Sequence, residues 1–118
     1  MLRLVSALKN SWAGLVHLLH HETAFKQECI ILVAAVPAAY IIAASFQQYV
    51  LLILMLVFII IVEVLNTAVE AVCDALSTDF DANIKIAKDC GSLAVLLSVL
   101  MAATVWGFAA IEWLLRFS

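Results

Sequence analysis

The sequence predicts an all-α integral membrane protein, with an N-terminal amphipathic surface helix and three transmembrane helices in a single membrane domain over residues 1–118. Composition carries the first half of that reading. Hydrophobic residues make up 67% of the chain and charged residues 13%, and mean hydropathy is +1.16. A soluble domain has roughly 25% charged and about 45–50% apolar residues, so these few charges cannot cover a water-facing surface. The second observation is three apolar runs, each near the ~20 residues that cross a bilayer.

Residues 1–22 come first and differ from the rest. Leu4, Val5, Leu8, Trp12, Leu15 and Leu19 follow helical spacing, while Arg3, Ser6, Lys9, Asn10, His17 and His20 fall largely off that stripe. A basic, Trp-containing helix of this kind lies in the membrane interface. His17, His20 and His21 have metal-ligand spacing, but interfacial helices use His freely at the headgroup level, and that reading is preferred.

The spans follow at 29–46, 49–72 and 92–114. The first starts too late, and with the wrong flanks, for a cleaved signal peptide. Gln47 and Gln48 read as the turn after it, and residues 73–91 as a polar loop between the second and third. Pro37 sits inside the first span, where neighbouring helices can accommodate it. Cys29, Cys73 and Cys90 lie in or beside apolar segments without CxxC spacing and read as small hydrophobes. A net charge of −3 excludes a nucleic-acid binder.

Three spans put the N-terminal helix and the 73–91 segment on one side. Arg3, Lys9, Lys26, Lys85 and Lys88 fall there and only Arg116 on the other, so the positive-inside rule makes that side, N-terminus included, cytoplasmic.

The stretch VEVLNTAVEAVCD, residues 62–74, ends the second run and places Glu63, Asn66, Glu70 and Asp74 on one helix face. Glu63 and Glu70 are about 10 Å apart along the axis, so the row climbs from the bilayer toward the cytoplasmic interface. A charge at the membrane centre costs roughly 2.5–3.5 kcal/mol on insertion scales, and such residues are functional by default. Glu22, Glu28 and Asp89 gather on the same side. Clustered carboxylates suit a hard cation such as Mg²⁺, and Lys88 is a point charge for phosphate. Together they are the parts of a phosphoryl-transfer site: metal-holding acids, a cation and a carboxylate base. No GxxxxGK[ST] or GxGxxG is present, so ATP needs an unconventional site.

EVLNTAVEAVCD followed by AKDCGSLAV, with ETAFKQE upstream, resembles the bacterial integral-membrane diacylglycerol kinase family over nearly the whole chain. The resemblance implies a homotrimer in the bacterial cytoplasmic (inner) membrane, with active sites composed between subunits. It implies transfer of the ATP γ-phosphate to a lipid alcohol. Matched by motif, Glu63 is the expected catalytic base, and Glu22 and Glu70 the Mg²⁺ ligands on the ATP phosphates. Asn66, Lys88 and Asp89 are expected nucleotide-site residues, with Arg3 and Asn10 as N-terminal contacts. Arg3, Glu28, Glu63 and Ser92 are expected near the lipid. Asn10 stands where some relatives carry an aromatic.

The family divides into diacylglycerol and undecaprenol kinases. Gly91–Ser92 stands where the polyprenol branch tends to read Ala-Ala or Ala-Gly, and ETAFKQE is closer to the diacylglycerol branch, so diacylglycerol is the expected substrate. Two other classes also use membrane carboxylates. A proton-coupled transporter needs acids leading to the far side, where only Glu112 stands. A structural helper subunit would use polar groups as helix glue and tolerate Glu63→Gln.

Overall fold

Ser45 and Asp81 decide where the two longest helices begin. The computed structural model describes residues 2–118, which form four helices: α1 over Leu2–His21, α2 over Thr23–Ile42, α3 over Phe46–Leu76 and α4 over Ala82–Leu115. Three of them, α2, α3 and α4, are long and apolar enough to cross a membrane.

Ser45 Oγ accepts the Gln48 N–H at 3.1 Å, and Gln48 Oε1 accepts the Ala44 N–H at 2.7 Å. This reciprocal pairing is a variant of the capping box. It corrects the expected turn: the chain reverses at Ala43–Ser45, and Gln47 and Gln48 form the first turn of α3. Asp81 acts in the same way on α4, its Oδ1 accepting the N–H groups of Asn83 at 2.8 Å and Ile84 at 3.2 Å. The expected 73–91 loop therefore shrinks to the five residues from Ser77 to Asp81, and Lys85, Lys88 and Asp89 are helical. Pro37 is exposed on α2, which continues through it.

Helix length has a consequence for function. The 31 residues of α3 and 34 of α4 extend about 46 and 51 Å at 1.5 Å per residue, against a hydrocarbon core of about 30 Å. Standing upright, each would exceed that core by about a third of its length, and the polar residues lie at the end of α3 and the start of α4. The same polar stretches that looked like a loop are a helical hairpin standing on the spans.

Packing between α3 and α4 follows a heptad seam. On α3 the positions are Leu52, Leu56, Ile59, Glu63, Asn66, Glu70 and Cys73, and on α4 Lys88, Gly91, Val95, Ser98, Ala102, Val105 and Ala109. All are buried or half-buried. Steps alternating between three and four residues keep one stripe of each helix on its partner. Small residues at Ser98, Ala102 and Ala109 let the backbones approach, and Ser98 Oγ is satisfied within its helix by Val95 O at 2.7 Å. The carboxylate row thus shares a stripe with the packing core.

The core itself sits at the opposite end, where Ala39, Leu52 and Ala109 meet. Trp106 Nε1 donates to Leu52 O at 3.0 Å, and an Arg116 guanidinium nitrogen donates to Ile42 O, a carbonyl left free where α2 ends. Among the described residues α1 packs only on α2, through buried Leu18, and leaves Leu4, Leu8 and Trp12 exposed.

Candidate active site

Antiparallel topology brings the start of α2, the end of α3 and the start of α4 to one end of the bundle, and the acidic residues meet there. Glu22 is the N-cap of α2, with extended φ, ψ of −114° and 108°, and its side chain makes no capping hydrogen bond. Its carboxylate is thereby left for other partners. Glu63 lies within electrostatic reach of both Glu70 and Glu22, and Glu28 within reach of Glu63. Four carboxylates, two from the start of α2 and two from the end of α3, share one neighbourhood. All four are half-buried.

Two polar atoms there are buried without a partner, Glu28 Oε2 and Asn66 Oδ1. Buried polar atoms are rarely left unpaired, and an active site is one of the few settings in which that cost is tolerated. Glu28 borders a cavity of about 240 Å³ whose other lining residues, Ile31, Leu56, Ile59 and Val99, are apolar. Asn66 Nδ2 donates to Glu70 Oε1 at a long 3.5 Å. Hydrogen bonds of catalytic groups are often long before substrate arrives.

The hairpin supplies the cations. Lys88 Nζ donates to Asp74 Oδ1 at 3.0 Å, joining α4 to α3. Lys85 pairs with Asp89 at 2.6 Å along α4. The fold does not bring every expected residue to the carboxylates. Asp89 turns to Lys85, Ser92 is exposed on α4, and Arg3 and Asn10 are exposed on α1.

Gly91 belongs to this end of the seam and the exposed Asp74 lies beside it; Asp74 closes the acidic row, but neither residue had an expected role in the site. The four-residue step from Glu70 signalled Asp74. Gly91 stood out only with Ser92, as a mark of the lipid branch, and nothing in the sequence signalled that it faces Asn66.

Among the described residues no three His, Cys, Asp or Glu side chains come close enough to hold a metal by themselves. The histidines of α1 are engaged locally: His20 and His21 place Nδ1 at 2.7 and 2.9 Å from the carbonyls of Val16 and His17, and His17 and His21 stack with ring centroids 4.4 Å apart.

Residues 9–110 match the family model for prokaryotic diacylglycerol kinase. The chain belongs to that family. It is similar to the diacylglycerol kinase of Escherichia coli strain K12, with 36% identity over 104 residues covering 88% of this chain and 85% of that protein. A Pseudomonas aeruginosa diacylglycerol kinase is 32% identical over 88% of this chain and 85% of its own length. One from Haemophilus influenzae is 30% identical over 88% of each. Membership in the prokaryotic diacylglycerol kinase family makes the chain a kinase, with ATP as phosphate donor. Of the expected site residues only Arg3 lies outside the matched segment.

Proposed function

We propose that the protein transfers the γ-phosphate of ATP to the free hydroxyl of diacylglycerol at the cytoplasmic face of the bacterial inner membrane, giving phosphatidic acid. The observation that carries this reading is that the start of α2 and the end of α3 bring the half-buried Glu22, Glu28, Glu63 and Glu70 to one end of the bundle, beside the polar start of α4. A lipid alcohol and a water-soluble nucleotide can meet only at such a boundary.

Glu63 is the catalytic base. It is the deepest of α3's acids, half-buried in the seam, at the depth a lipid hydroxyl reaches. Its carboxylate accepts the hydroxyl proton while the oxygen forms a bond to the γ-phosphorus. The bond from that phosphorus to the bridging oxygen breaks, and ADP leaves with the electron pair. Glu28, which lines an otherwise apolar cavity, faces the lipid together with Arg3 and Ser92. Asn66, Lys88 and Asp89 hold the nucleotide, with Arg3 and Asn10 reaching it from α1.

Glu22 and Glu70 would hold Mg²⁺, a hard cation that takes one or two carboxylates and fills its remaining positions with waters and substrate phosphates. When bound, Mg²⁺ neutralises charge on the β- and γ-phosphates.

The working unit is a homotrimer with its N-termini in the cytoplasm. Arg3, Asn10, Asp89 and Ser92 stand exposed in one chain, as they would if they completed a neighbour's site. Large apolar residues on the spans, Ile30 at 68% and Leu65 at 61% exposure among them, offer surface for lipid and for partner subunits. The exposed stripe of α1, with Trp12 and the basic Arg3 and Lys9, suits the headgroup layer.

Diacylglycerol is favoured over undecaprenol by Gly91–Ser92 and by the name the similar proteins share. Purified protein given ATP and either lipid tests this. Phosphatidic acid should form and undecaprenyl phosphate should not; faster phosphorylation of undecaprenol would reverse the assignment, and ATP hydrolysis indifferent to both lipids would remove it.

A further inference from the structure

Gly91 of α4 faces Asn66 of α3 across the seam, and the space normally filled by a Cβ is taken up by the asparagine amide. A Cβ built on Gly91 would collide with Asn66 Oδ1, come to 3.2 Å from Cγ and reach ordinary contact with Cβ at 3.9 Å. Gly91 is helical and has no positive φ, so its backbone does not require glycine. Only the neighbour does.

The orientation of that amide is also determined. A carboxylate only accepts hydrogen bonds, so the amide must turn its NH₂ to Glu70. Oδ1 then points at Gly91, buried and without a partner. An Asn side chain on a helix has few rotamers. One that cleared a Cβ at position 91 would take the NH₂ off Glu70.

We infer that Gly91 is a positioning residue for nucleotide binding: its missing side chain holds the Asn66 amide against the Glu70 carboxylate. This rests on the proposed assignment of Asn66 and Glu70 to the MgATP site. It also separates function from stability. Alanine is the better helix former and the clashing atom is the free end of a side chain, so Gly91→Ala relieves its collision by rotating Asn66. The fold survives and the site does not.

The test uses three full-length variants in lipid–detergent micelles: Gly91→Ala, Asn66→Ala and the double substitution. Melting midpoint, equilibrium Kd for MgATP and KM for diacylglycerol are measured for each. Gly91→Ala should melt at or above wild type and bind MgATP about tenfold more weakly, as for the loss of one hydrogen bond to a charged group. In the Asn66→Ala background, where the obstructed amide is gone, Gly91→Ala should change the Kd less than twofold.

A wild-type Kd in Gly91→Ala overturns the inference. So does a tenfold loss that persists in the double variant, since Gly91 would then act through packing alone. If Gly91→Ala fails to fold, a folded double variant upholds the collision with Asn66 and an unfolded one overturns it. Asn66→Ala with wild-type affinity and turnover would remove the parent assignment as well. An impaired Asn66→Ala beside a normal Gly91→Ala removes only the role of Gly91.

Discussion

Lys88 of α4 and Asp74 of α3 close the projecting hairpin with a 3.0 Å ion pair. Lys88 is half-buried and Asp74 exposed, and pairs this open to solvent contribute little to stability. What the pair does is aim a flexible lysine at the end of the seam occupied by Glu70 and Asn66.

Lys88 and Asp74 should therefore separate in their effects. Lys88→Gln removes a cation from the triphosphate and should raise KM for ATP by roughly tenfold or more. Asp74→Asn leaves the cation in place and should change KM by a few-fold at most, with both variants melting close to wild type. Steady-state kinetics with ATP varied at saturating lipid decide it. Equal losses in the two would mean that Lys88 acts only as a strut between helices.

Activity should depend on Mg²⁺ through Glu22 and Glu70. Glu22→Gln and Glu70→Gln each remove an anionic oxygen ligand while keeping side-chain length, so half-saturating Mg²⁺ should rise sharply in both. Turnover measured across a Mg²⁺ titration shows this. Near-normal turnover of both variants at limiting Mg²⁺ would place the metal elsewhere.

The spans and the acidic row were legible because each rests on local chemistry: apolar runs long enough to cross a bilayer, and Glu63, Asn66, Glu70 and Asp74 repeating at three and four residues. The boundaries were less so. Ser45-x-x-Gln48 carries a capping-box pattern, and Asp81 before Ala-Asn is a good N-cap, but polarity alone turned both neighbourhoods into turn and loop. Polar residues in Ala82–Asp89 look unlike a membrane helix, yet the stretch is helical and continuous with the apolar length of α4. Gly91 was hidden for another reason. Its neighbour Asn66 is 25 positions away in the sequence, and only the helix crossing puts them in contact.

Sites built from more than one subunit should complement. Glu63 belongs to the acidic cluster, whereas Asp89 faces outward on α4, paired with Lys85. Mixed oligomers of Glu63→Gln and Asp89→Asn, each inactive alone, should regain part of wild-type turnover. In such a mixture a site can draw an intact Glu63 from one subunit and an intact Asp89 from another. Verified mixed oligomers with no recovered activity would argue for sites within single chains.

Trp106 should matter for stability and not for chemistry. Its indole N–H bonds Leu52 O across α3 and α4, at the end of the bundle away from the carboxylates. Interhelical bonds of this type in membranes average about 0.6 kcal/mol and reach about 1.7. Trp106→Phe should lose an amount in that range in reversible unfolding from micelles, with turnover unchanged. A loss of activity at unchanged stability would couple the two ends of the seam.

The most direct measurement is turnover set against nucleotide affinity for Glu63→Gln in the same lipid. Glutamine keeps the size and most of the hydrogen bonding of Glu63 but cannot accept a proton. General-base help is typically worth 10²–10⁴-fold, roughly, so turnover should fall by about that factor while the Kd for MgATP and the melting midpoint stay near wild type. A Glu63→Gln protein that phosphorylates diacylglycerol at the wild-type rate would take the base out of the mechanism and leave Glu63 as a packing residue of the α3–α4 seam.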